Sequence, residues 1–310
     1  MSSFDLHFVI VTYNGEKWIE KCLESILNLG GDFEVHIIDN GSTDRTIELC
    51  ERLGFSVWKS EKNLGFGAAN NLGIKNAIKK GASHLFLLNQ DAYMDKKAID
   101  NFLSLDLAKD TDTIFSFVQK NGDGSDFDIM WKNGYLAENN CPGFVEDSKR
   151  NQIKPIYDMK FSNAAAWMMP VQVIKSIGGF STTFFHYGED TNYIHRAHYH
   201  KISVKMLPNS IVRHDRSEQI RAISPHLTTR KKKSRKFLVD LSNPSETVQP
   251  IAVLLRTMRI FLQKLVRLQS PNAIIEYHFL KLVYAVGIIK ILRNRRRSRM
   301  ANGPFMETNP

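Results

Sequence analysis

Through the first ninety residues, short unbroken apolar runs alternate with segments whose apolar residues recur every three or four positions. The runs from His7 to Thr12, Val35 to Ile38, Phe55 to Lys59 and Leu85 to Leu88 have no polar alternation, the signature of strands buried on both faces of a parallel sheet. Between them, Glu16 to Leu29 places Trp18, Ile19, Cys22, Leu23, Ile26 and Leu27 on one helical stripe, stopped by Gly30-Gly31. Ser42 or Thr43 is positioned to cap a second helix with Ile47, Cys50 and Leu53 inward. The stretch from Asn63 to Asn71 reads as a glycine-bearing loop entering a third helix through Ala77 and Ile78, which Gly81 closes. Strand and helix alternate four times, which predicts an α/β fold on a parallel, doubly wound sheet.

In such sheets, ligands bind just beyond the carboxyl ends of the strands. The four strand ends deliver Thr12-Tyr13-Asn14, Asp39, the Asn63–Asn71 loop (with Gly65, Phe66, Gly67 and Asn70) and Asn89-Gln90-Asp91 to one edge. That set suits a nucleotide. A carboxylate at Asp39 can accept from a base N–H, Tyr13 can pack on the ring, and glycines at 65 and 67 permit close backbone approach. Asp91 can ligate a divalent cation that in turn holds a diphosphate. The alternative for Asn89-Gln90-Asp91 is a turn or helix cap before Lys96. Gly65-Phe66-Gly67-Ala68-Ala69-Asn70 is a broken dinucleotide fingerprint after the wrong strand, and no Gly-Lys-Ser/Thr phosphate loop occurs.

Beyond residue 102 the pattern is sparser. Thr113 to Val118 reads as a strand, 122–128 as a polar loop and Gly134 to Arg150 as irregular sequence. Pro170 can open a helix over Val171–Ile177 that Gly178 ends. Glu189-Asp190 follows an aromatic segment at the start of another helical stretch, where a carboxylate can be partly desolvated and act as a base. A helix N-terminal acid pair is the competing reading. Ile202 to Leu207 reads as a strand, and Asn209-Ser210 turns into Ile211–His214.

Composition is that of an ordinary globular chain, 43% hydrophobic and 24% charged. Three cysteines without a CxxC pair read as core residues in a reducing compartment. No basic region followed by a long apolar segment opens the chain, so no signal peptide is expected. Charge is uneven: residues 226–310 hold 17 of the 42 Lys and Arg but only 4 of the 32 Asp and Glu.

Taken in order, Val9-Ile-Val-Thr-Tyr-Asn14, Ile37-Ile-Asp-Asn-Gly-Ser-Thr-Asp44, Asn63-Leu-Gly-Phe-Gly-Ala-Ala-Asn-Asn71 and Leu87-Leu-Asn-Gln-Asp91 resemble the family 2 inverting glycosyltransferases, closest to bacterial rhamnosyltransferase-like members. The resemblance implies a GT-A fold with a Rossmann-like, mostly parallel sheet. It implies a nucleoside-diphosphate sugar donor (dTDP- or UDP-linked) and Mg2+ or Mn2+ at an Asp-x-Asp-type motif. Carried over, Asp39 contacts the base or ribose, Asp91 is the metal acid, and Asn89 stands where the family often has Asp. Glu189-Asp190 resembles the family's Glu-Asp motif, with Asp190 as catalytic base and Glu189 as an acceptor contact. His214 falls where members place a metal- or diphosphate-contacting histidine.

The expected organisation is a catalytic domain over 1–225, with a nucleotide-sugar-binding half (1–105) and an acceptor half (106–225). A basic amphipathic helical extension follows over 226–300, then a disordered tail over 301–310. The runs at Arg230–Lys236 and Arg293–Arg299 flank apolar helical patterns, which suits the anionic cytoplasmic face of a bacterial membrane. Packing on the catalytic domain and homodimerisation are the alternatives, and nucleic acid is not expected. The acceptor expected is a lipid-linked saccharide of a surface polysaccharide. Competing readings are a nucleotidyltransferase and a non-catalytic nucleotide-sugar-binding scaffold.

Overall fold

The computed structural model describes residues 4–216, 239–245 and 289–306. Its first half runs β1 (Leu6–Thr12), α1 (Ile19–Leu27), β2 (Glu34–Asp39), α2 (Thr46–Arg52), β3 (Val57–Lys59), α3 (Phe66–Lys79) and β4 (His84–Asn89). The unbroken apolar runs divide by the two-residue period of a strand. Phe8, Ile10, Phe86 and Leu88 enter one core cluster, while Val9, Leu85 and Leu87 enter the cluster on the opposite face. Both faces of these strands are therefore covered, which is why the runs show no alternation.

The second half contributes β5 (Ala92–Met94), α4 (Ala98–Ser104), β6 (Thr113–Asn121), α5 (Phe144–Lys149), β7 (Tyr157–Asp158), β8 (Ala166–Pro170), α6 (Val171–Ile177), α7 (Glu189–Tyr199) and β9 (Ser203–His214). Strand order is β3-β2-β1-β4-β8-β6-β9-β5, with β7 also on β9. The first four strands pair in parallel, as expected. Beyond β4, β6–β9 continues the parallel pairing, while β4–β8, β6–β8, β5–β9 and β7–β9 are antiparallel. Alanine-rich 161–169 gave no sign of a strand, yet β8 lies at the sheet centre.

Three local expectations change. The helix after the third strand starts at Phe66, so Gly67, Asn70 and Asn71 lie in its first turns rather than in a loop. Neither Ser42 nor Thr43 caps α2; Asp44 Oδ1 accepts from Thr46 N at 3.1 Å instead. Asn209-Ser210 lies inside one continuous strand, where the ladder jumps from Phe117↔Leu207 to Val118↔Ile211. The bulge re-aims the end of β9, carrying His214 to the partner position of Ala92.

The C-terminal part also differs from expectation. Arg230–Lys236 and Ile251–Leu268 lie outside the described residues, as does most of 274–292. Residues 301–306, expected to be disordered, are docked: Asn302 N donates to Ser176 O, Gly179 N to Pro304 O, and Phe305 is buried. Arg196, fully buried in α7, donates to Ile177 O and Gly179 O and lies over the rings of Tyr193 and Phe305. The described part of the extension thus packs on the catalytic domain.

Candidate active site

Side chain-to-backbone hydrogen bonds knit the loops after β1, β2 and β3 together. Asn14, with φ +45°, accepts from Thr43 N at 2.9 Å and donates its own N–H to Ser42 Oγ at 2.9 Å. Gly15 N donates to Thr46 Oγ1 at 2.7 Å. Asn40 bridges to the next loop, donating to Asn63 Oδ1 and accepting from Leu64 N. Asn63 Oδ1 also accepts from Gly65 N, whose φ of +86° only glycine adopts without strain. Polar residues that read as generic turn formers form a rigid rim.

Asp39 is buried and already well occupied. Its carboxylate accepts from Thr12 Oγ1 (2.9 Å), Ser42 Oγ (2.5 Å), Ser42 N (2.9 Å) and Gly41 N (3.2 Å). It shapes the loop on which a base would rest, a role the sequence reading did not give it. Tyr13, by contrast, is 47% exposed at the rim.

Gln90 explains how that exposed ring is held. Its side-chain amide accepts from Tyr13 N at 2.9 Å and donates to Tyr13 O at 3.1 Å. A Cβ on Gly15 would come within 2.1 Å of Gln90 Oε1, so only glycine leaves room for the clamp. The residue beside the expected metal acid therefore ties the β1 loop to the β4 turn.

α3 holds Gly67, Asn70 and Asn71 inward. A Cβ on Gly67 would approach Phe180 at 2.9 Å. Asn70 donates back to Phe66 O, and Phe66 packs edge-on to Phe180. Asn71 donates to Phe180 O and Phe305 O and accepts from Phe180 N, so its amide is committed to the fold. The structure does not bring Asn70 or Asn71 to the rim.

The expected metal residues do meet. Asp91, on the turn after β4, has Oδ1 3.2 Å from His214 Nε2. Burial alone would raise its pKa, but the charge and hydrogen bond of His214, with Arg216 nearby, bring it below the ordinary carboxylate value. His214 Nδ1 lies 2.9 Å from Gln119 Oε1, and Gln119 Nε2 donates to Asn163 Oδ1 at 2.6 Å. Arg216 Nε lies 3.1 Å from His214 Nδ1 and 3.3 Å from Nε2, so a guanidinium N–H also faces this ring. Asn89 Oδ1, two residues before Asp91, is buried without a hydrogen-bond partner. A carboxylate and an imidazole meeting at one sheet edge suit a hard or borderline divalent cation whose other positions are filled by phosphate oxygens.

Glu189 and Asp190 diverge. Glu189 is buried, with its Cβ 3.5 Å from where a Gly67 Cβ would stand. Asp190 is partly exposed, and burial raises its pKa even though its Oδ1 accepts from Thr191 N at 2.6 Å. Tyr135 lies within electrostatic reach of Asp190, Arg216 and Asp128; burial first, then Asp190, raises its pKa. Phe66 N donates to Phe185 O, joining the α3 entry to the loop before α7. Asn192, fully buried, donates to Ser242 Oγ and Asn294 Oδ1, so the asparagine here docks the extension.

Sequence reasoning passed over Gln119, Tyr135 and the structural role of Gln90. Gln119 did carry a signal, a polar residue ending an apolar strand, the feature that marked Asp91. Tyr135 carried none. All three cysteines are buried thiols, with burial the leading cause of a raised pKa in each.

The family model described as Glycosyl transferase family 2 matches residues 7–165, and the chain belongs to that family. An uncharacterized glycosyltransferase of Rickettsia felis is 32% identical over 144 residues, 44% of this chain and 23% of that protein. The poly(ribitol-phosphate) beta-N-acetylglucosaminyltransferase TarS of Staphylococcus aureus is 32% identical over 99 residues, 29% of this chain and 17% of that protein. The matched stretch thus spans less than a quarter of these relatives. In fold, the chain is similar to TarS 1–349 in complex with UDP (TM-score 0.55, 15% identity, 79% of this chain and 67% of that one). It is also similar to GalNAc-T7 with UDP, GalNAc and Mn2+ (TM-score 0.56, 15% identity, 68% and 44%). These are GT-A folds.

Proposed function

We propose that the chain is an inverting glycosyltransferase that moves a sugar from a nucleoside diphosphate to a hydroxyl of a saccharide acceptor. The observation that carries this reading is the meeting of Asp91 and His214 at the sheet edge where the β1–β3 loops form a rim. Asp91 and His214 would hold Mg2+ or Mn2+, which when bound supplies positive charge to the departing diphosphate. Tyr13 offers a ring face to the base. Asp190 accepts the proton of the attacking hydroxyl, and its raised pKa makes it a stronger base than an ordinary aspartate.

UDP in the two structural neighbours supports a UDP-hexose donor, whereas the motif resemblance supports dTDP-rhamnose. The acceptor we favour is a lipid-linked saccharide of a bacterial surface polysaccharide, reached from the cytoplasmic face of the membrane. Outward-facing Arg293 and Arg296 on helical residues 289–298 support contact with anionic lipid. No helix among the described residues is long and apolar enough to cross a membrane.

Calorimetric titration of UDP and dTDP, with and without Mn2+ or Mg2+, on the wild type and Asp91→Ala tests the donor site. Metal-dependent binding lost in Asp91→Ala is expected, and the preferred base selects the donor. Failure of both nucleotides to bind would refute the reading.

A further inference from the structure

At the far end of β1 and β2 from the candidate active site, a second set of ligating groups converges. Parallel pairing sets His7 opposite Glu34 and Val9 opposite His36. The two-residue strand period then puts His7, Glu34 and His36 on one face of adjacent strands. His7 Nδ1 lies 3.0 Å from His36 Nε2 and 3.7 Å from Glu34 Oε2, and all the ligand atoms fall within 4.8 Å of one another. His7 and His36 are buried, while Glu34 is 36% exposed and opens the cluster to solvent.

We propose that His7, His36 and Glu34 form a binding site for a borderline divalent transition-metal ion such as Zn2+, distinct from the donor site, that ties β1 to β2.

Three observations support the chemistry. Two imidazoles and one carboxylate are a zinc-type donor set, and a tetrahedral ion with bonds of 2.0–2.1 Å separates its ligand atoms by about 3.3 Å. The observed 3.0 and 3.7 Å bracket that separation. Second, Asp5 Oδ1 lies 3.2 Å from His7 Nε2, so the carboxylate holds the proton there and leaves Nδ1 with its lone pair toward the cluster, the arrangement that orients metal-binding histidines. Third, Lys80 Nζ engages Glu34 Oε1, leaving Oε2 directed at His7. Binding moves the His36 proton from Nε2 to Nδ1, and the freed lone pair takes the metal. Without the ion, the same Nε2–H donates to His7 Nδ1.

The test uses the untagged full chain. Zn2+ is titrated by calorimetry, and Co2+ absorption reports ligand geometry, on wild type, His36→Gln, Glu34→Gln, Asp5→Asn and Asp91→Asn. One equivalent should persist in Asp91→Asn. Its affinity should fall at least tenfold in His36→Gln and Glu34→Gln and about tenfold in Asp5→Asn. Glu34→Gln changes a partly exposed residue, so it remains informative if His36→Gln folds poorly. A wild type that binds no Zn2+, or one whose affinity survives in Glu34→Gln, would overturn the site, whatever the donor titration shows.

Discussion

His214 Nε2 lies 3.2 Å from Asp91 Oδ1 across 123 residues of sequence, because the bulge in β9 brings its last residue alongside β5. Replacing His214 by Ala should therefore weaken metal-dependent nucleotide binding on the order of 10–100-fold, as loss of a metal-orienting group does elsewhere. Metal-independent binding should change little. Isothermal titration with and without Mn2+ measures both, and equal loss in the two conditions would place His214 in fold maintenance only.

Asp190 sets the pH dependence. Burial raises its pKa above the ordinary aspartate value, and a general base acts deprotonated. Turnover should accordingly fall as pH drops through that raised value, on an acid limb lying above 3.8, the unperturbed value. Asp190→Asn should lower kcat by roughly 10²–10⁴-fold with nucleotide affinity kept. A kcat–pH profile together with a UDP or dTDP titration of the variant decides it.

The Gln90 clamp predicts a binding effect rather than a chemical one. Gln90→Ala removes both bonds to the Tyr13 backbone, each contributing about 1 kcal/mol. The donor KM should rise several-fold while kcat at saturation is nearly unchanged. Gly15→Ala should reproduce the effect by displacing Gln90, and the double variant should be no worse than the sum. An effect of Gln90→Ala on kcat alone would contradict the clamp.

The docked C-terminus is a stability element. Phe305 is buried between the guanidinium groups of Arg196 and Arg297, and its carbonyl accepts from Asn71. Phe305→Ala should cost about 3 kcal/mol, in the range for truncating a buried aromatic. Deleting 302–310 should lower Tm further, because it uncovers Arg196 and removes one of the three Asn71 side-chain hydrogen bonds. Thermal melts of both variants check this; unchanged melting would mean the segment is dispensable.

The sequence by itself determined the parallel half of the sheet and the positions from which chemistry is offered. Apolar runs flanked by polar punctuation specify buried strands whatever the rest of the chain does, so Thr12, Asp39 and Asp91 fall at strand ends by local rules alone. Only tertiary structure decided what those side chains do. Asp39 and Asn71 read as ligand groups from their types, but the first is saturated by its own loop and the second by Phe180 and Phe305, partners no local pattern encodes. β8 stayed invisible because Ala166-Trp-Met-Met-Pro170 is short and has no β-branched residue to mark it as a strand; the neighbouring β4 and β6 impose the pairing. The meeting of Asp91 with His214 depends on a bulge, and that of His7 with His36 on parallel register. Both are long-range pairings, whose geometry is fixed when the sheet closes and not before.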